Sequence, residues 1–88
     1  MTNETQPALI YQGHASWVNT ANFSLDGKFI ASASKDETIH IWEASTGKRV
    51  ATCNGSASWV LAATFSPDGK RIVTGSDDGL AKVWIARQ

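Results

Sequence analysis

Residues 13–42 read GHASWVNTANFSLDGKFIASASKDETIHIW, and a close copy of this stretch begins 42 positions later, at residue 55. When residues 13–46 are compared without gaps to residues 55–88, 16 of the 34 positions are identical. A recurrence at a fixed period of this length indicates two copies of one structural unit. The period therefore decides how the rest of the chain is interpreted.

The period divides the chain into three parts. We expect a flexible tail over residues 1–4, a first repeat over residues 5–46 and a second repeat over residues 47–88.

Each repeat is predicted to consist of short β-strands. From Val18 onward the predicted strands cover residues 18–24, 29–34 and 38–42 of the first repeat and residues 49–53 at the start of the second, which are rich in β-branched, aromatic and small residues. Turns containing Gly, Asp and Ser separate them, and no helical period competes with this pattern. Apolar or small residues occupy both faces of several strands, which favours sheets that are covered on both sides. The predicted fold class is all-β.

Composition argues against several kinds of partner. Eight basic and eight acidic residues give a net charge of zero, so no basic patch points to nucleic acid and no polybasic segment points to a membrane surface. No signal-peptide pattern and no apolar run of about 20 residues is present. A single cysteine, Cys53, is expected to be a small buried strand residue. We expect a cytoplasmic protein.

The residues quoted above resemble a WD40 repeat. The resemblance rests on Gly13-His14 at the head of the unit and Trp42 at its end, and it covers residues 9–88. The acidic residue that usually follows the tryptophan is present as Glu43 and is replaced by Ile85 in the second unit. The resemblance implies that each repeat is a four-stranded antiparallel blade, with strands a to d, of a β-propeller.

Two blades cannot close a propeller, so the resemblance also implies assembly. Residues 8–12 align with the outer strand d of the first repeat, whereas the second repeat ends at strand c. We therefore expect residues 8–12 of one copy to pair with strand c, residues 80–85, of the next. This head-to-tail contact would produce a closed ring. We favour eight blades as a homo-tetramer, then six as a trimer. The predicted latch residues are Leu9, Ile10, Tyr11, Val83 and Ile85.

The resemblance assigns a structural hydrogen-bonded tetrad to His14, Ser32, Asp36 and Trp42. The second repeat retains Thr74, Asp78 and Trp84 but has Ser56 in place of His14, so we expect a weaker network there. A Ser-His-Asp triad would use the same residue types, but it would also need an exposed pocket and an oxyanion hole. The only other histidine is His40, which is too few ligands to predict a metal site. We predict no catalytic residue, metal or cofactor.

Four further residues are candidates for a binding surface on the face of the propeller that carries the d–a loops, here called the top face. Trp17 and Trp59 lie where the d–a loops lead into the inner strands, and Lys35 and Asp77 belong to the b–c turns. Their alternative role is packing between blades. The predicted function is a non-catalytic protein–protein interaction scaffold with itself and a top-face protein or peptide as partners. The alternative is a structural or engineered propeller building block that has no dedicated partner.

Overall fold

The first repeat and the beginning of the second form a four-stranded antiparallel sheet, the first blade. In the computed structural model, which describes residues 6–54 and 59–85, its strands are β1 (Val18–Phe23), β2 (Phe29–Ser34), β3 (Ile39–Glu43) and β4 (Arg49–Cys53). They are hydrogen-bonded in the order β1-β2-β3-β4. The meander arises because each strand is followed by a short polar turn that returns the chain beside the strand it has just left.

The second blade has three strands. These are β5 (Val60–Phe65), β6 (Arg71–Ser76) and β7 (Ala81–Ile85), paired antiparallel in that order. The register repeats that of the first blade, since Ile72 lies opposite Trp84 as Ile30 lies opposite Trp42. Within the described residues the outer edge of β7 has no paired strand.

The two blades pack face to face around one hydrophobic core. The first blade contributes what we call its leading face, and the second blade contributes its trailing face. The core residues are Ala31, Ala33, Ile39 and Ile41 from the leading face and Val60, Ala63, Phe65 and Ile72 from the trailing face. Small residues in β2 allow the sheets to approach closely, as close-packed interiors require.

Hydrogen bonds also join the blades. The side-chain amide of Asn19 donates to the Val60 carbonyl at 2.8 Å, and that of Asn22 donates to the Ala63 carbonyl at 2.6 Å. Both donors lie on β1 and both acceptors lie on β5. Directional bonds of this kind fix the relative position of two sheets that apolar packing alone leaves free to slide.

Residues 8–12, which are predicted to pair with another copy, form no strand within the single chain. Instead they lie along the first blade, with Tyr11 against Trp42 and Leu9 against Gly47. A strand requires a paired edge, and the edge predicted for these residues belongs to another copy.

Among the described residues, no helix is long and apolar enough to cross a membrane.

Candidate functional site

Four side chains of the first blade form one hydrogen-bonded chain. His14 precedes β1, Ser32 lies on β2, Asp36 lies in the β2–β3 turn and Trp42 lies on β3. The contacts are Trp42 Nε1 to Ser32 Oγ at 3.2 Å, Ser32 Oγ to His14 Nε2 at 2.7 Å and His14 Nδ1 to Asp36 Oδ2 at 3.0 Å. The structure therefore brings together the predicted residues, with histidine between aspartate and serine.

The partners determine the direction of every bond in this chain. The indole N–H can only donate, so the Ser32 oxygen accepts from Trp42 and its hydroxyl proton is directed to His14 Nε2. The Asp36 carboxylate can only accept, so His14 donates through Nδ1. Aligned donors and acceptors polarise one another and strengthen the whole chain.

Asp36 joins the residues before β1 to the β2–β3 turn. Its Oδ2 accepts from His14 and from the Ala15 backbone N–H at 2.9 Å, while Oδ1 accepts from the Thr38 N–H at 3.0 Å and from the Thr38 hydroxyl. Burial by itself would raise the pKa of Asp36, but the hydrogen bonds from Thr38, Ala15 and His14 outweigh it and hold the pKa well below its usual range. The carboxylate is therefore charged throughout the neutral range.

The same residue types suggest a hydrolase triad, but the surroundings of Ser32 favour a structural role. The Ser32 side chain is buried, and its oxygen already accepts the indole proton of Trp42. A nucleophile must be reachable by substrate and close to donors that stabilise an oxyanion. The geometry of the described residues therefore supports a network that satisfies a buried indole and a buried hydroxyl.

The second blade contains part of the same arrangement. Trp84 Nε1 donates to Thr74 Oγ1 at 2.9 Å, as Trp42 donates to Ser32. Asp78 accepts from the Ser76 hydroxyl and from the Leu80 N–H. Ser56, which replaces the histidine, lies outside the described residues.

A second cluster, not predicted from the sequence, lies beside the first. His40 on β3 is buried, and its Nδ1 lies 2.7 Å from Tyr11 Oη while its Nε2 lies 3.3 Å from Arg49 Nη1. The Tyr11 ring stacks on Trp42 at 4.8 Å between centroids, and the His14 and His40 rings stack at 3.9 Å. Residues 8–12 are thereby attached to the first blade.

The neighbours of His40 keep its ring neutral. Arg49 only donates, so Nε2 carries the lone pair and Nδ1 donates to the tyrosine oxygen. Burial, followed by unfavourable electrostatic interactions of the protonated ring with His14 and Arg49, lowers the pKa of His40 from 6.5 to about 4. Burial also raises the pKa of Tyr11.

His14, Asp36 and His40 offer possible metal-ligand atoms within 4.8 Å of one another. Each histidine nitrogen already has a hydrogen-bond partner, and a guanidinium faces His40 Nε2. A cation would have to displace these partners and approach Arg49. The contacts of the described residues therefore favour a hydrogen-bonded network over a metal centre.

Three of the four predicted top-face residues, Trp17, Lys35 and Trp59, meet at the junction between the blades. The Lys35 ammonium lies 3.6 Å from the centroid of the Trp17 ring and 4.3 Å from that of the Trp59 ring. Both distances fall within the range of cation–π attraction. The tryptophans are exposed, Trp17 by 70% and Trp59 by 46%. One ammonium group therefore lies over two exposed tryptophan rings, one from each blade.

Asp77 occupies the position in the second blade that Lys35 occupies in the first. The Lys35 N–H donates to the Trp17 carbonyl at 2.9 Å, and the Asp77 N–H donates to the Trp59 carbonyl at 3.1 Å. The two turns therefore have equivalent backbones, but their first residues, Lys35 and Asp77, have opposite charges. Sequence comparison alone places Asp77 and Lys35 in this relation, but it does not reveal that the Lys35 ammonium lies over both tryptophan rings.

The predicted latch residues lie at opposite ends of the chain's two-blade stack. Leu9 and Tyr11 face the first blade, while Ile10 is exposed. Val83 and Ile85 are exposed on β7, on the leading face of the second blade. One chain therefore does not bring the two sets together.

The comparisons with known proteins agree with this architecture. The family model for the WD domain, G-beta repeat, matches residues 5–43 and 47–84. The chain belongs to the WD40 repeat family.

Individual relatives are far longer than this chain. A ribosome biogenesis protein BOP1 homolog of Drosophila virilis is 38% identical over 48 residues, which are 54% of this chain and 6% of that protein. A Notchless protein homolog of Arabidopsis thaliana is 44% identical over 50 residues, which are 57% of this chain and 11% of that protein. The chain therefore spans a small fraction of the curated relatives it matches.

A solved structure shows the same fold. The crystal structure of RRP9 WD40 repeats superposes with a TM-score of 0.81 at 29% sequence identity, covering 85% of this chain and 24% of that one. The all-β fold of two WD40-like antiparallel sheets is thus shared with an experimentally determined propeller-family structure.

Proposed function

We propose that this chain is a two-blade unit of a non-catalytic protein-interaction scaffold, and that copies joined head to tail complete its propeller. WD40 domains mediate protein interactions, and this chain belongs to that family. The two outer faces of the chain support assembly. Each outer face has the residue pattern of one of the two faces that pack together between the blades.

The leading face of the second blade corresponds to the buried leading face of the first. Val83 stands 42 positions after Ile41, yet Ile41 is 3% exposed and Val83 is 64% exposed. Val73, equivalent to buried Ala31, is also exposed. Apolar residues presented in the register of a packed sheet favour a docking partner of the same kind.

The trailing face of the first blade corresponds to the buried trailing face of the second. Phe65 is 8% exposed within the internal junction, whereas its equivalent Phe23 is 64% exposed. A second copy that presented its β7 sheet to Phe23 would reproduce the internal junction. Repeating one heterologous junction closes a ring when the rotation per chain divides a full turn.

Residues 8–12 occupy a suitable position for the latch. Within the chain, β4 completes the first blade and its Cys53 packs against the core shared with the second. Tyr11, which stands 42 positions before Cys53, packs on the trailing face of the first blade through Trp42. A preceding copy would place the outer edge of its β7 beside residues 8–12. These residues would then complete the second blade of that preceding copy, and the closed ring would have eight blades in a tetramer or six in a trimer.

Native mass spectrometry of the full chain tests this proposal directly. We expect a tetramer or a trimer, and a stable folded monomer would overturn the assembly. Removing residues 1–12 should dissociate the ring, whereas removing only residues 1–5 should leave it intact. An unchanged oligomer in the longer deletion would refute the latch.

A further inference from the structure

We propose that Lys35, Trp17 and Trp59 form a docking site for a glutamate or aspartate side chain of a partner protein, held among apolar groups of that partner. The inference deepens the proposed function, because it names the chemistry that the top face recognises. It rests on the role as an interaction scaffold but not on the assembly, since all three residues belong to one chain.

The site lies where the two blades meet. Trp17 precedes β1 of the first blade, Trp59 precedes β5 of the second, and Lys35 follows β2. The Lys35 ammonium lies 3.6 Å from the centroid of the Trp17 ring and 4.3 Å from that of the Trp59 ring. The Lys35 backbone N–H also donates to the Trp17 carbonyl at 2.9 Å. The turn that carries the ammonium is therefore joined through its backbone to one of the two tryptophans.

The Lys35 ammonium retains its capacity to bind an anion. An ammonium has three N–H donors, and the face of an aromatic ring attracts it without supplying an oxygen acceptor. In the part of the chain that the structure describes, this ammonium contacts the two rings and forms no ion pair with another side chain. The carboxylate next to it in the sequence, Asp36, accepts instead from His14, Ala15 and Thr38. The described residues therefore leave Lys35 without a carboxylate partner.

The two tryptophan rings supply the apolar part of the site. Trp17 is 70% exposed and Trp59 is 46% exposed even though Lys35 lies against both of them. Large aromatic side chains of this kind are typical anchors of protein interfaces. A partner that covers the rings excludes water from the ammonium, and the lower local dielectric strengthens its attraction to a carboxylate. The arrangement therefore fits a carboxylate that has apolar groups beside it.

Acidic residues in the same two turns restrict the partner further. The β2–β3 turn also contains Asp36 and Glu37, and the β6–β7 turn contains Asp77 and Asp78. These carboxylates repel a long acidic segment, and the repulsion falls with distance. A single carboxylate that reaches Lys35 over the tryptophan rings is therefore favoured over a run of acidic residues.

The test uses the full chain with acetyl-Leu-Glu-Leu-amide as the probe and acetyl-Leu-Gln-Leu-amide as its uncharged match. Binding is followed through the indole N–H signals in NMR spectra, with Trp42 and Trp84 as references because their indoles are hydrogen-bonded within the blades. We expect the Trp17 and Trp59 signals to shift together to saturation. The glutamine probe should bind about fivefold more weakly, which is the scale of one surface ion pair, and added salt should reduce this difference.

Variants of two lysines test the role of the charge. Lys35→Gln removes the charge at the site and should make the affinities for the two probes equal. Lys35→Arg retains the charge and should keep the preference for the glutamate probe, even if Lys35→Gln loosens the junction between the blades. Lys28→Gln is the matched control, because Lys28 precedes β2 and Lys35 follows it, at opposite ends of the same strand. It should leave both affinities unchanged.

The outcomes separate the docking site from the assembly. If native mass spectrometry shows the ring while Trp17 and Trp59 do not respond to the glutamate probe, the site is overturned and the assembly stands. If the wild-type chain is monomeric and both signals respond, the assembly is overturned and the site stands. Equal affinity for the two probes would overturn the site. Tighter binding of acetyl-Leu-Lys-Leu-amide would also overturn it, because the carboxylates of the two turns would then govern the surface.

Discussion

At the scale of single residues, His14 connects Ser32 and Asp36 in the hydrogen-bonded chain of the first blade. It accepts from the Ser32 hydroxyl and donates to Asp36. In His14→Ala, the buried hydroxyl and the carboxylate each lose a partner, so we expect a loss of about 1–3 kcal/mol of unfolding free energy. Urea unfolding measures this loss, and Ser56→Ala is the matched control because it changes the equivalent position. We expect the smaller loss there, and equal losses would contradict the asymmetry between the repeats.

His40 gives the protein a specific dependence on pH. Its folded pKa of about 4 lies below the ordinary value of 6.5, so the unfolded chain takes up the proton first as the pH falls. Stability should therefore be fully present above pH 6.5 and decline between pH 6.5 and about 4. Thermal unfolding across this interval tests the sign, and His40→Gln should flatten the slope. A slope that persists unchanged in the variant would exclude His40 as its origin.

The cluster around His40 leaves no signal in the repeat pattern, and the reason lies in its residues. Tyr11 corresponds to Cys53 in the period of 42, and His40 corresponds to Lys82. Self-comparison finds what repeats, whereas this cluster is built from positions at which the two units differ. The signal for this cluster is the set of positions at which the two repeats differ. At these two positions Tyr11 and His40 have aromatic rings, whereas the equivalent Cys53 and Lys82 have none.

At the scale of elements, the β2–β3 and β6–β7 turns, which contain Asp36 and Asp78, share one left-handed backbone position. The residue at this position is strained in the first turn and unstrained in the second. Glu37 has φ +73° and its equivalent Gly79 has φ +85°. A residue with a Cβ pays for this left-handed conformation, whereas glycine adopts it readily. Glu37→Gly should raise the unfolding free energy by about 0.5–1 kcal/mol, after the entropy of the more flexible unfolded chain is subtracted.

Gly79→Glu is the reverse exchange and should destabilise the protein by a similar amount in the same urea titration. The pair changes the same turn position in opposite directions. Destabilisation by both variants would show that the side chain of Glu37, and not its backbone conformation, governs this turn.

The strands themselves followed from the sequence, and the register of the second blade followed from the period. The four predicted strands of the first repeat agree with β1–β4 to within one residue at each end, because Gly, Asp and Ser turns separate β-branched runs. Residues 8–12 form no strand in the single chain, because a strand needs a neighbouring strand to pair with. The strand edge predicted for them belongs to another copy.

At the scale of the whole molecule, the two equivalent phenylalanines distinguish a free chain from a ring. In a free chain Phe65 is buried and Phe23 is exposed, so Phe65→Leu should cost about 1 kcal/mol and Phe23→Leu almost nothing. In a ring both side chains fill equivalent junctions, and both substitutions should be costly. Urea unfolding at several protein concentrations measures the difference, because assembly makes apparent stability depend on concentration.

Leu25→Ala is the control for surface apolar residues, because Leu25 is 79% exposed and lies in the turn after β1. It should leave stability unchanged at every concentration. A neutral Phe23→Leu in a protein that is oligomeric by mass would show that the copies meet at a different surface.

The asparagine bonds between the blades have a thermal consequence. Asn19 and Asn22 join the internal junction through backbone carbonyls, but the second blade has Leu61 and Thr64 at those positions. The junction between copies would thus depend more heavily on apolar contact, whose contribution weakens on cooling. On cooling, the interfaces between chains should weaken before the interface between the two blades of each chain. The assembly is therefore expected to dissociate into folded two-blade chains and to reassociate on warming.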